Sequence, residues 1–130
     1  MLDTNIASFI VRGANEALKT KLRACSIADI CMSSITEGEL LFGVARRPEA
    51  HAIKKAVREL LQLVQVLPWD SSVAGAYGVL RASLEKQGKP LGNLDTLIAA
   101  HAIATGNVLV TNDKALIRTE GLLVEDWSTQ

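Results

Sequence analysis

The chain has 130 residues, a length that suits one domain and leaves little room for two. Its apolar fraction of 48% excludes a disordered chain, and an aromatic content of only 4% calls for an aliphatic core and argues against a base-stacking platform. Lys plus Arg and Asp plus Glu balance at 14 each, so any grip on nucleic acid has to be local rather than a product of bulk charge.

Short apolar runs alternate with helical patterns along the whole chain. Met1–Leu2 reads as a strand, Ile6 to Ile10 as a short helix and Glu16 to Ala24 as an amphipathic helix. A strand Ile30–Met32 is followed by a helix from Ile35 to Ala45, which starts after a Ser-Ser pair and stops before Pro48. The periodic stretch from His51 to Leu63 predicts a long helix, and Val64–Leu67 a strand. Asp70 or Ser71 can cap a helix from Ser72 to Glu85. The next helix, Leu94 to Ala104, ends at Thr105-Gly106, a glycine stop signal. Val108–Val110 and Leu122–Val124 are strands, with a helical turn from Asp113 to Ile117 between them. Strands of this length, aliphatic throughout and bounded by polar residues, suit a buried parallel sheet, and their alternation with helices predicts an α/β sandwich with helices on both faces.

Cys25 and Cys31 have no metal-like spacing, and with no signal peptide they read as thiols of a reducing cytoplasm. No apolar run is long enough to span a bilayer. Basic residues gather at Arg12, Lys19, Lys21 and Arg23, at Arg46 and Arg47, and at Lys54, Lys55 and Arg58. Each group taken alone reads as a solvated helix face.

Open parallel sheets bind ligands beyond the carboxyl ends of their strands. Four acids stand just after a strand or in the helix that follows one: Asp3, Glu39, Asp95 and Asp113. Each alone has a structural explanation. Asp3 and Asp113 can be N-caps, and Asp95 suits the positive end of a helix dipole with Asn93 as the cap. Together they are harder to explain, because carboxylates in one cleft repel each other unless a cation or protons compensate. Oxygen ligands of this kind suit Mg²⁺ or Mn²⁺ rather than zinc. Ser34-Ile35-Thr36-Glu37 fits a capping box, which gives Glu37 a structural task and leaves Glu39 as the better ligand. No Gly-rich phosphate loop, G-x-S-x-G or His-Glu-x-x-His motif is present. A metal-free ribonuclease would want two histidines. His101 lies six residues after Asp95, about 240° round a helix, and reads with His51 as structural.

Met1 to Asn5 (MLDTN), Ser33 to Gly43, Gly88 to Gly106, Leu109 to Asp113 (LVTND) and Gly121 to Trp127 (GLLVEDW) resemble the VapC-type toxins of the PIN-domain superfamily, in order and spacing over essentially the whole chain. The resemblance implies a single PIN-like domain over residues 1–130, an α/β/α sandwich with a short central parallel sheet. It implies a homodimeric endoribonuclease using Mg²⁺ or Mn²⁺, and a cognate VapB-type antitoxin that often brings the pair to operator DNA. It places the family's acids on Asp3, Glu39, Asp95 and Asp113, with Thr111 and Asn5 as supporting polar residues. Family members usually carry a few more residues before the first Asp. Here the first strand is only Met1–Leu2, which implies a late start or a clipped central strand, with the α-amino group within roughly 10 Å of Asp3 at about 3.3 Å per residue.

The reaction so implied is hydrolysis of phosphodiester bonds in structured RNA of the tRNA or rRNA class. The alternatives are a PIN-like module that binds RNA or a partner without cutting, and a phosphotransfer domain with Asp3 as nucleophile. The second wants another Asp where Asn5 stands. An antitoxin segment is expected in an apolar groove built from the first two helices and the long helix His51–Leu63, through residues such as Leu18, Leu22, Ile53, Val57 and Leu60.

Overall fold

A computed structural model describes residues 1–13 and 15–128. Seven α-helices and four short strands are named among them: α1 Thr4–Arg12, α2 Glu16–Ala24, β1 Cys31–Ser33, α3 Ser34–Arg46, α4 His51–Leu63, β2 Gln65–Leu67, α5 Ser71–Lys86, α6 Asn93–Thr105, β3 Leu109–Val110, α7 Lys114–Ile117 and β4 Val124–Glu125. Every predicted helix is present: α2 and α4 have the predicted bounds, and the ends of the others differ by at most two residues.

The strands are shorter than expected at their starts. Ile30 ends a 3-10 turn over Ile27–Asp29, and Val64 closes α4, so each is used by the preceding element before its strand begins. At the centre, Leu2 makes a parallel bridge to Met32 on one side and to Val110 on the other. β2 pairs with β1 and β4 with β3, both in parallel. The order across the molecule is therefore β2, β1, the Met1–Asp3 segment, β3, β4. The central segment is short but well tied. Leu2 N donates to Cys31 O at 2.9 Å, Asp3 N to Val110 O at 3.0 Å, Val110 N to Met1 O at 2.7 Å, and the α-amino group to Val108 O at 2.7 Å.

The period-2 alternation of strands sorts the core into two layers. Met1, Cys31 and Leu109 join the cluster formed with Val73, Leu80 and Leu84 of α5 and Ile98, Ala99 and Ala102 of α6. Their neighbours Leu2, Met32 and Val110 turn the other way, onto Ile6 of α1, Leu18 of α2, Leu40 of α3 and Val57 and Leu60 of α4. Helices thus cover both faces, as predicted. Burying a side chain such as Leu2 contributes roughly 1.5–3 kcal/mol, which is why three residues at the chain start suffice to hold a central position.

The expected groove is found in part: Val11 of α1 and Ile53 and Val57 of α4 line a cavity, but α3 rather than α2 completes it. Leu18, Val57, Leu60 and Val64 are buried core, and Leu22, Ile53 and Leu61 pack partly buried against it. Core packing accounts for the apolar residues of α2. Among the described residues no helix is long and apolar enough to cross a membrane.

Candidate active site

Asp3 stands at the carboxyl end of the central segment. Its backbone closes the pairing with β3, and its Oδ1 accepts from Ile6 N at 2.8 Å, capping α1. It is 3% exposed. Asp113 comes from the turn after β3, half-buried, and caps α7 by accepting from Ala115 N at 2.8 Å and Leu116 N at 3.4 Å. Asp95 lies in the first turn of α6. That helix is capped by Gly92 without a side-chain bond, and Asn93, the expected cap, is its first helical residue. Glu39 is half-buried in the middle of α3.

These four carboxylates line one cavity of about 230 Å³, with Thr4, Asn5 and Leu94 completing the wall. Their convergence follows from topology: the central segment sits between β1 and β3, so Asp3, Glu39 and Asp113 leave three adjacent strands at one edge, and the start of α6, which follows α5 rather than a strand, brings Asp95 to them. Asn5 is exposed on the cavity wall. Thr111 does not line the cavity. It is fully buried behind it, and its hydroxyl accepts from Asp113 N at 3.0 Å, fixing the turn that carries Asp113.

The electrostatics match the crowding. Burial pushes the Asp3 carboxyl above its ordinary range, the charges of Asp95 and Asp113 push it further, and the Thr111 hydroxyl and the Ile6 amide pull it back. Asp95 is raised by burial first and by Asp113 second. Among the described residues, however, no group of three or more His, Cys, Asp or Glu side chains meets the geometry for holding a metal ion. The acids share a cavity without forming a closed coordination cage.

The capping box expected of Glu37 is not formed. Ser33, not Ser34, caps α3, accepting from Ile35 N at 3.1 Å. Ser34 Oγ is occupied by Trp69 N at 2.9 Å, so the expected capping box has no free serine. Glu39 lines the cavity and Glu37 does not. His101 is structural, as expected: it is buried, and its Nδ1 lies 2.7 Å from Ser33 Oγ. Burial lowers its pKa, and the charge of Asp70 offsets part of that. Two wall residues escaped sequence reasoning. Thr4, bonded to Thr36 at 3.3 Å, could have been found from its place between Asp3 and Asn5. Leu94 carries no chemical signal at all.

Comparison with known proteins agrees with this architecture. Residues 1–122 match the PIN domain family. The chain is 33% identical over 129 residues to the tRNA(fMet)-specific endonuclease VapC of Shigella flexneri, covering 98% of this chain and 97% of that protein. It is also 33% identical over 129 residues to the ribonuclease VapC2 of Rickettsia felis, at 98% and 96% coverage. Among solved structures, the DNA-bound VapBC of Salmonella typhimurium superposes with a TM-score of 0.90 at 33% identity, covering 98% of this chain and 96% of that one. VapBC2 of Rickettsia felis, bound to a promoter DNA fragment, gives 0.89 at 31% identity and 96% of each chain. A parallel sheet centred on Met1–Asp3, helices on both faces and four acids at one sheet edge thus coincide with full-length similarity to VapC proteins: the chain belongs to the PIN-domain family, among its VapC-type members.

Proposed function

We propose that this protein is a metal-dependent endoribonuclease, the toxin half of a toxin–antitoxin pair, which hydrolyses phosphodiester bonds in structured RNA of the tRNA or rRNA class. The observation that carries this reading is the single cavity walled by Asp3, Glu39, Asp95 and Asp113, two of whose carboxyls are pushed up in pKa by burial and by like charge. Such a cavity calls for positive charge. Its side-chain donors are chiefly oxygens, and one water needs roughly 10–15 Å³, so a hydrated Mg²⁺ or Mn²⁺ has room. An ion that keeps several of its own waters fits carboxylates that share a cavity without caging it. The relatives named as an endonuclease and as a ribonuclease support the activity. The VapBC complexes, two of them on DNA, support a cognate VapB-type antitoxin and assembly on operator DNA. We carry the homodimer into the same proposal.

Asp3, Glu39, Asp95 and Asp113 would hold the ion, directly or through its waters. When bound, the ion lowers the pKa of the attacking water and stabilises charge on the phosphate. The protein supplies position. Asp3 is fixed by strand pairing and by the Ile6 amide, and Asp113 by its two helix amides and by Thr111. The carboxylates therefore need little reorganisation at the moment of reaction. The test is cleavage of an RNA pool by the purified protein with and without EDTA. Cleavage that stops with EDTA and returns with Mg²⁺ or Mn²⁺ is expected. Binding without cutting in every divalent ion would make the chain a binding module instead, and cleavage that persists in EDTA would remove the metal.

A further inference from the structure

A second cavity, of about 360 Å³, opens between α1, α3 and α4. It shares Thr4 and Glu39 with the acidic cavity, so the two are neighbours. Arg12, Arg46 and Arg47 line it, from the end of α1 and the end of α3. All three are exposed. Among the described residues the ion pairs are Lys19–Glu16, Lys55–Glu59 and Arg81–Glu85, so none of these arginines is neutralised by a carboxylate. Two of them are held in place. The Arg12 guanidinium lies 5.4 Å from the centre of the Phe9 ring, with Nε donating to Ser8 O at 3.3 Å, and Arg46 lies 5.4 Å from the centre of the Phe42 ring. Stacked guanidiniums lose less freedom on binding and leave their remaining N–H donors turned to a ligand.

We propose that this cavity grips the RNA backbone beside the bond to be cut, with Arg12, Arg46 and Arg47 contacting phosphates and Thr4 and Glu39 forming the step into the acidic cavity. The inference rests on the ribonuclease reading. Its physical basis is charge. Four carboxylates repel an approaching polyanion, and a chain with 14 basic and 14 acidic residues has no bulk field to overcome that repulsion. The compensation has to lie within about one Debye length, roughly 8 Å at physiological salt. Unpaired arginines in a cavity that shares two residues with the acidic one supply positive charge beside it. They also separate this group from the basic residues elsewhere on α2 and α4, which line neither cavity.

The experiment measures binding of a labelled transfer-RNA pool by the full chain carrying Asp95→Asn, which prevents cleavage, as salt is varied. Adding Arg46→Gln and Arg47→Gln should weaken binding at least tenfold at low salt. It should also reduce the slope of log K against log salt by about 0.7–0.9 per arginine removed. Arg12→Gln should lower it by one further step. Charge-preserving Arg46→Lys and Arg47→Lys should retain most of the slope, which a merely structural loss would not. Lys86→Gln, on α5 and outside both cavities, should leave affinity and slope near the parent's. In the cleaving chain, the arginine variants should raise KM more than they lower kcat. Unchanged affinity and slope in the arginine variants, with normal cleavage by the unsubstituted chain, would overturn this assignment alone. So would loss of affinity for an antitoxin peptide with RNA binding intact, which would make the cavity a protein-docking groove. If the parent cuts no RNA, the ribonuclease reading fails and this assignment falls with it.

Discussion

Asp3 and Asp70 each follow a strand and cap the next helix, Asp3 through Ile6 N at 2.8 Å and Asp70 through Ser72 N at 3.0 Å. Their environments differ in every other respect. Asp70 is exposed, and the hydroxyl and amide of Ser72 hold its carboxyl below the ordinary range. Asp3 is buried at the carboxyl end of the central segment, beside Asp95 and Asp113, and its carboxyl is pushed up. The bond at the helix end is the same; what differs is how much water and how many like charges surround it. Local capping chemistry therefore identifies neither residue as functional, and the surroundings separate them.

The largest effect should come from neutralising the two aspartates in turn. Asp3→Asn or Asp95→Asn should reduce RNA cleavage by at least about 100-fold, whereas Asp70→Asn should leave it unchanged, since Asn also caps helices. Asp3→Asn should not lower the melting temperature in EDTA at neutral pH. The folded-state pKa of Asp3 lies above its unfolded value, so its contribution to stability is present at low pH and lost as pH rises through the folded pKa. The asparagine keeps the cap and escapes that loss. Melting curves from acid to neutral pH check this, and a variant that melts well below the parent at neutral pH would place Asp3 as a structural residue like Asp70.

Glu39→Gln should slow cleavage by about tenfold or more, and Glu37→Gln should leave it near normal because Glu37 does not line the cavity. The reverse result would show that the wrong glutamate of α3 had been assigned. This pair extends the comparison to two acids on one helix, two residues apart.

A smaller effect probes the surroundings of Asp70. Burial holds the His101 pKa below its unfolded value, with Asp70 opposing. The unfolded chain therefore binds the proton more readily, and stability is present above pH ~6.5 and lost as pH falls from there to the folded pKa, by at most about 1.4 kcal/mol per pH unit. His101→Asn should flatten this part of the stability curve. Asp70→Asn should extend the loss to lower pH by removing the charge that helps His101 hold its proton. The smallest expected change is in Asp70→Ala, which should lower the melting temperature slightly through the lost cap with no effect on cleavage.

The sequence by itself determined the helices and the two-layer aliphatic core, and it marked four acids that the fold brings to one cavity. Those signals are local: apolar periodicity, a glycine such as Gly106 that ends α6 with φ 66°, and carboxylates placed just after strands. It did not determine where strands begin, because Ile30 and Val64 are apolar in either role and hydrogen bonding alone assigned them to the preceding turn and helix. It did not determine which serine caps α3, because the Trp69 amide that occupies Ser34 comes from 35 residues away. The apolar residues of α2 and α4 read equally well as groove or core, and only the fold placed those of α2 in the core and left Ile53 and Val57 of α4 lining a cavity. Nor did it show that Arg12 and Arg46–Arg47, distant in the chain, line one cavity beside the acids. Periodicity and capping depend on residues within one turn of each other, whereas burial, charge crowding and cavity walls depend on chain segments that only the tertiary fold brings together.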